Sequence, residues 1–191
     1  MRRLLGVVLA AGIIGVTGLT AVGGSEDQSG PGVISPTTSK IEWVGTKTGG
    51  KHDGGFKDFS GKLDPATGDL TASTIKVEIN AGSLYSDVGK LTQHLKSPDF
   101  FGVDTYPKAS FVSSKIESAV DGSNTHKITG ELTLHGVKKE ITFPAKIVET
   151  GDKVKLNSTF KINREDFGMT GFKGKVDSDV TIKLAVEVSR K

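Results

Sequence analysis

The last run of the chain alternates without a break. Val180, Ile182, Leu184, Val186 and Val188 are apolar, and Thr181, Lys183, Ala185 and Glu187 stand between them. A period of two gives a strand one face for an apolar interior and one for water, which a helix cannot use. The same rhythm sets Ile41, Trp43 and Gly45 against Glu42 and Val44, and it recurs over Ile75–Ile79, Ile141–Ile147 and Val154–Leu156. Turn chemistry separates the runs at Asp64-Pro-Ala-Thr-Gly68, Asp121-Gly-Ser-Asn124 and Gly151-Asp152. About eight strands at hairpin-like spacing predict an all-β fold, with an antiparallel sheet curled into a barrel or packed as a sandwich. Twenty-five glycines against two methionines fit strands and turns better than long helices. One segment breaks the period. From Tyr85 to Lys96, Val88, Leu91 and Leu95 recur at helical spacing until Ser97-Pro98 stops them, predicting a short helix across the mouth or flank of the sheet.

The N-terminus reads as an export signal. Met1-Arg2-Arg3 precedes an uncharged run from Leu4 to Val22, and Ala21-Val22-Gly23 meets the small-x-small rule for cleavage. The alternative is an uncleaved anchor, because the run is nearly as long as a membrane span. Residues 1–23 are therefore expected to be a signal peptide, 24–38 a flexible polar linker, and 39–191 the folded domain. A periplasmic or secreted location follows. The formal charge of +3 includes Arg2 and Arg3, so the exported body carries about +1 and offers no electrostatic attraction for nucleic acid. There is no cysteine, which excludes disulfides, thiolate metal sites and cysteine nucleophiles.

Catalytic patterns come close without being complete. Gly45-Thr-Lys-Thr-Gly-Gly-Lys51 matches a phosphate-binding loop until His52 stands where Ser or Thr should hold magnesium, so it reads as a strand connection. His52, His94, His126 and His135 form no local metal-ligand spacing, and no serine sits in a nucleophile elbow. No catalytic residue, metal or cofactor is expected. An acid–base pair of His94 and Asp99, acting on a lipid, is the enzymatic alternative. The unusual feature is apolar: nine phenylalanines fall between Phe56 and Phe172. A barrel of about eight strands has an interior just wide enough for side chains or one slim ligand.

Three stretches, taken together, resemble the YceI-like, polyisoprenoid-binding family: His94-Leu-Lys-Ser-Pro-Asp-Phe-Phe-Gly-Val-Asp-Thr-Tyr-Pro-Lys-Ala-Ser-Phe111, Gly130-Glu-Leu-Thr-Leu-His-Gly-Val-Lys-Lys-Glu-Ile141, and Ile162-Asn-Arg-Glu-Asp-Phe-Gly-Met169. The similarity runs from about Ser39 to the C-terminus. It implies an eight-stranded antiparallel, lipocalin-like barrel with a short helix after the third strand, exported from a bacterium, with a long isoprenoid or other lipid in its channel. The expected apolar channel residues are Trp43, Phe56, Leu91, Leu95, Phe100, Phe101, Phe111, Leu132, Phe143, Phe160 and Phe167. Trp43 should point inward with Ile41, and Ala109 with Phe111. Of the adjacent Phe100 and Phe101, one should face the channel and the other the core. Membrane proximity is expected of a protein with such a partner, and the sequence leaves the oligomeric state open, a dimer included. The competing function is an envelope stress or structural protein whose interior is simply a filled core.

Overall fold

The computed structural model describes residues 30–191. The expected signal over 1–23 lies outside the described residues.

Alternating runs become strands, and every ladder between them is antiparallel. In chain order they are β1 (Val33–Ile34), β2 (Lys40–Lys47), β3 (Gly50–Phe56), β4 (Phe59–Asp64), β5 (Thr74–Asn80) and β6 (Leu84–Ser86). After a helix, α1 (Gly89–Lys96), come β7 (Lys108–Asp121), β8 (Asn124–Leu134), β9 (Val137–Thr150), β10 (Lys153–Asn163) and β11 (Val176–Ser189). Hydrogen-bonded neighbours run β1-β4-β5-β7-β8-β9-β10-β11-β2-β3-β6.

These eleven segments make eight staves plus the short β1. β3 and β4 are one stave bent at Lys57-Asp58, and β5 and β6 are the next, bent at the 3-10 turn Ala81–Ser83. The two bends are tied together: Lys57 donates to the Ser83 carbonyl (3.3 Å) and Asn80 to the Asp58 carbonyl (3.1 Å). The outer half of the bent stave, β3, pairs with β2, while its inner half, β4, pairs with β5. One length of chain thus borders both edges of the sheet and brings it round into a lipocalin-like barrel, with α1 following the third stave.

The polar linker expected over 24–38 does not extend to its stated end. Val33 and Ile34 pair with Lys62 and Gly61 of β4, and Gly32 donates to the Ser189 carbonyl at 2.8 Å, so β1 fills the seam between β4 and the end of β11. Ile34 is 2% exposed. Gly32 has φ +74°, and a Cβ there would overlap the Leu63 carbonyl, so this entry requires glycine. A two-residue strand is too short to announce itself by period, which is why composition alone reads it as loop.

The helix is also shorter than its spacing predicts. Leu84–Ser86 pairs with β3 instead, and the Thr92 hydroxyl accepts from the Ser86 N–H at 2.9 Å, fixing the turn before Gly89.

Candidate functional site

The inward faces of the staves do not meet. They surround a cavity of about 230 Å³ whose exposed wall is apolar throughout. It runs the length of the barrel, from Ile34, Leu70 and Val188 at one end to Leu95, Phe100 and Met169 at the other. An engineered apolar cavity of about 150 Å³ stays dry and takes benzene, so a space of this size and wall chemistry suits hydrocarbon.

Nine of the eleven expected channel residues lie on this wall. Trp43 stands there with Ile41 and Gly45 on β2, as its parity requires; Phe56 closes β3, and Leu95 comes from the last turn of α1. Phe111 on β7, Leu132 on β8, Phe143 on β9 and Phe160 on β10 supply the middle. The Phe143 and Phe160 rings stack at 4.4 Å, with Phe111 tilted against Phe143 at 5.6 Å. Such pairs add about 0.5–1.5 kcal/mol each beyond burial and hold the wall in one shape.

Two expected residues lie off the wall. Leu91 sits one turn before Leu95, and only the final turn of α1 reaches the cavity. Phe167 is fully buried in the core, but in the 3-10 turn Arg164–Phe167 after β10, where strand parity no longer applies. Phe100 and Phe101 also differ from expectation, since both line the cavity. They belong to a tight turn in which Phe101 donates to the Leu95 carbonyl (3.0 Å) and Gly102 to that of Ser97 (2.9 Å). In that turn both rings reach the same space, and Phe101 meets Phe56 edge-on at 5.9 Å.

Room for Trp43 comes from glycine. A Cβ on Gly54, its cross-strand partner, would overlap the indole ring. Trp43 is 8% exposed, and its indole N–H has no hydrogen-bond partner among the described residues.

Arg164 is the charged wall residue that sequence reasoning missed. It is 3% exposed, yet no carboxylate lies within ion-pair distance of it among the described residues. Its guanidinium donates instead to three carbonyls: Asp177 and Val176 at 3.2 Å each, and Met169. It also lies 5.8 Å from the Phe100 ring centre. One side chain thereby fixes the connection from β10 to β11 over this end of the barrel. Next to it, Lys173 pairs with Glu165 (2.8 Å), and Ser178 donates to the same carboxylate (2.7 Å). The Lys173 bond first, and the Ser178 bond second, hold the Glu165 carboxyl below its usual range. The available signal was a lone arginine directly after an alternating strand, within Ile162-Asn-Arg-Glu-Asp-Phe-Gly-Met169.

The histidines have packing partners. His94 lies 3.2 Å from an Asp99 carboxylate oxygen and edge-on to Phe100 and Phe172; His52 contacts Asp87, His126 contacts Thr125, and His135 meets the Phe167 carbonyl. Among the described residues no three His, Asp or Glu side chains stand together as a metal site. The phosphate-loop lookalike is the hairpin joining β2 to β3 and opens no helix.

Residues 33–188 match the model of the YceI-like domain. A UPF0312 protein of Pseudomonas putida is 36% identical over 140 residues, covering 70% of this chain and 71% of its own length; one from Enterobacter is 33% identical over the same span. Among solved structures, Burkholderia cenocepacia BcnA superposes with a TM-score of 0.72 at 25% identity, over 82% of this chain and 99% of that one. The Campylobacter jejuni YCEI protein gives 0.60 at 29% identity, over 72% and 84%. A polyisoprenoid binding domain from Saccharophagus degradans, implicated in plant cell wall breakdown, gives 0.65 at 14% identity, over 84% and 99%, and so shares the fold.

Proposed function

Since this chain belongs to the YceI-like domain family and its barrel surrounds a cavity with an apolar wall, we propose that it is an exported lipid-binding protein that holds a long apolar chain, such as a polyisoprenoid or an isoprenoid quinone tail. The observation that carries the reading is the continuous apolar space itself. Each methylene moved into it from water contributes about 0.8 kcal/mol, so a tail binds there without any charged contact. Ordering the tail offsets part of that gain. The polyisoprenoid-binding neighbour supports this ligand class, and the apolar run after Arg2-Arg3 supports export to the periplasm or beyond. The reading assigns no catalytic step to His94 and Asp99, which stand 3.2 Å apart at the barrel end beside Phe100.

Trp43 provides the test, as the only tryptophan and a wall residue. Quinone rings quench nearby indole emission. Titration with a polyprenyl quinone is expected to dim the fluorescence until one site per barrel is filled. Emission that stays constant while dialysis shows the quinone bound would put the ligand outside the barrel and overturn the proposal.

A further inference from the structure

Parting two paired strands breaks the hydrogen bonds of every rung between them. An easier way into the cavity lies where the barrel wall is held by something other than a ladder. β5 and β6 are halves of one stave, but only β5 pairs onward with β7; β6 pairs with β3 alone and ends the order of strands. Beyond β6 the wall is continued by α1 and the turns after it, which give the cavity Leu95, Phe100 and Phe101.

This stretch makes its polar contacts with itself. Among the described residues, no hydrogen bond or ion pair of residues 93–106 leaves the segment 88–106: Phe101 donates to the Leu95 carbonyl, Val103 to that of Lys96, Tyr106 to that of Gly102, and His94 meets Asp99. Tethers stand at its two ends. Asp87 donates to the Asp53 carbonyl (2.9 Å) and Ser86 to the Thr92 hydroxyl, while Ala81 donates to the Pro107 carbonyl (2.8 Å). α1 has no buried residue. What closes the segment against the barrel is ring contact: Phe101 on Phe56, Tyr106 on His135 at 4.3 Å, and Phe100 and His94 on Phe172 at 5.9 and 5.0 Å. Phe172 sits at φ +56°, a left-handed conformation that bulky side chains rarely take. Beside it, a Cβ on Gly171 would lie 2.1 Å from the Asp99 carbonyl oxygen. A strained residue and a close backbone approach thus meet where the segment shuts, and such strain gathers at clamps and switch regions. The opposite end is stitched instead: Leu63 donates to the Gly32 carbonyl (2.8 Å) and Arg190 to that of Ala66 (3.1 Å), over Ile34, Leu70 and Val188, each at most 3% exposed.

We propose that segment 88–106 is a flap in the barrel wall, hinged at Ser86 and Pro107 and latched by Phe172, and that the lipid tail enters and leaves the cavity beneath it. Lifting residues 93–106 parts apolar surfaces and breaks none of the hydrogen bonds described above, so it needs far less than opening a ladder. The proposal rests on the lipid-binding reading for what passes, and on the self-contained bonding for where it passes.

One readout of the test needs no lipid. Trp43 pairs with Gly54, which pairs onward with Ser86 at the first hinge, and its indole N–H is buried without a partner. Hydrogen exchange at this single indole therefore reports opening of the wall. In lipid-free protein it is expected to rise roughly tenfold in Phe172→Asn, which accepts the left-handed backbone and loses two ring contacts. Gly171→Ala, which wedges the flap away at Asp99, is expected to act in the same direction. Arg190→Gln, which loosens the opposite end, is expected to exchange at the parent rate. Protein loaded with a polyprenyl quinone is then mixed with excess phosphatidylcholine vesicles, and recovery of Trp43 emission gives the release rate. Release is expected to quicken in the two flap variants and not in Arg190→Gln. Parent-like exchange in both flap variants, parent-like release despite faster exchange, or equally fast exchange in Arg190→Gln would overturn the proposal. A quinone that never dims Trp43 contradicts the carrier reading alone, and the exchange rates still decide whether the flap opens. A quinone that binds, yet leaves both flap variants at the parent rate, contradicts the flap alone.

Discussion

Ala109→Phe is expected to cut the lipid retained by the protein roughly tenfold, the effect of denying the tail about two methylenes of contact. Ala109 is 3% exposed, lies on the cavity wall and faces the same space as Phe111. A phenyl ring added there projects into a void of about 230 Å³. In a filled core the same change is overpacking and costs about 1–3 kcal/mol. Here the added ring occupies empty space and buries its own apolar surface, so the thermal midpoint is expected to hold or rise. Bound lipid and thermal midpoint, both measured on this variant, separate the two readings. Lipid content equal to the parent's, with a lowered midpoint, would mean that the interior is a core and that lipid binds elsewhere.

Arg164→Met is expected to lose about 3 kcal/mol of stability, because it leaves the carbonyls of Met169, Val176 and Asp177, the first in a buried bond and the others in half-buried ones, without their donor. For a folded region of this size that corresponds to a midpoint lower by about 6–12 °C. Arg164→Lys is expected to recover only part of the loss, since an ammonium cannot reproduce a planar fork reaching three acceptors. Because Met169 lies in the connection between β10 and β11 and Val176 and Asp177 begin β11, amide exchange should rise first over residues 168–177 and later in the barrel staves. A uniform rise in exchange, or a midpoint within 1–2 °C of the parent's, would remove Arg164 from that role.

The staves were legible because each buries one face and leaves the other wet. Val180 to Val188 could be read as a strand, and Trp43 as inward, from parity alone. The bends were not, because Lys57-Asp58 and Ala81–Ser83 interrupt a strand without interrupting the apolar count on either side. β1 was missed for a related reason: two residues carry no period, and Ile34 is buried by what it meets rather than by its own pattern. At the site, parity placed the strand residues of the wall and failed at the ends. Leu91 and Leu95 share a helical face, yet the helix reaches the cavity only through its last turn. Phe100 and Phe101 sit in a turn, where the rule of two lapses and both rings enter. Arg164 could not be read as a wall residue from sequence, since its burial depends on three carbonyls supplied by a segment five to thirteen residues further along.

The carrier reading stands or falls on what occupies the cavity in the cell. Native mass spectrometry of the protein, purified without detergent from the envelope of its own host, measures this directly. The expected spectrum shows the chain with one long-chain apolar lipid per barrel, lost on organic extraction and diminished in Ala109→Phe. A protein that is repeatedly empty, at the mass of the chain alone across preparations and growth conditions, would contradict lipid carriage and leave the barrel as a structural core.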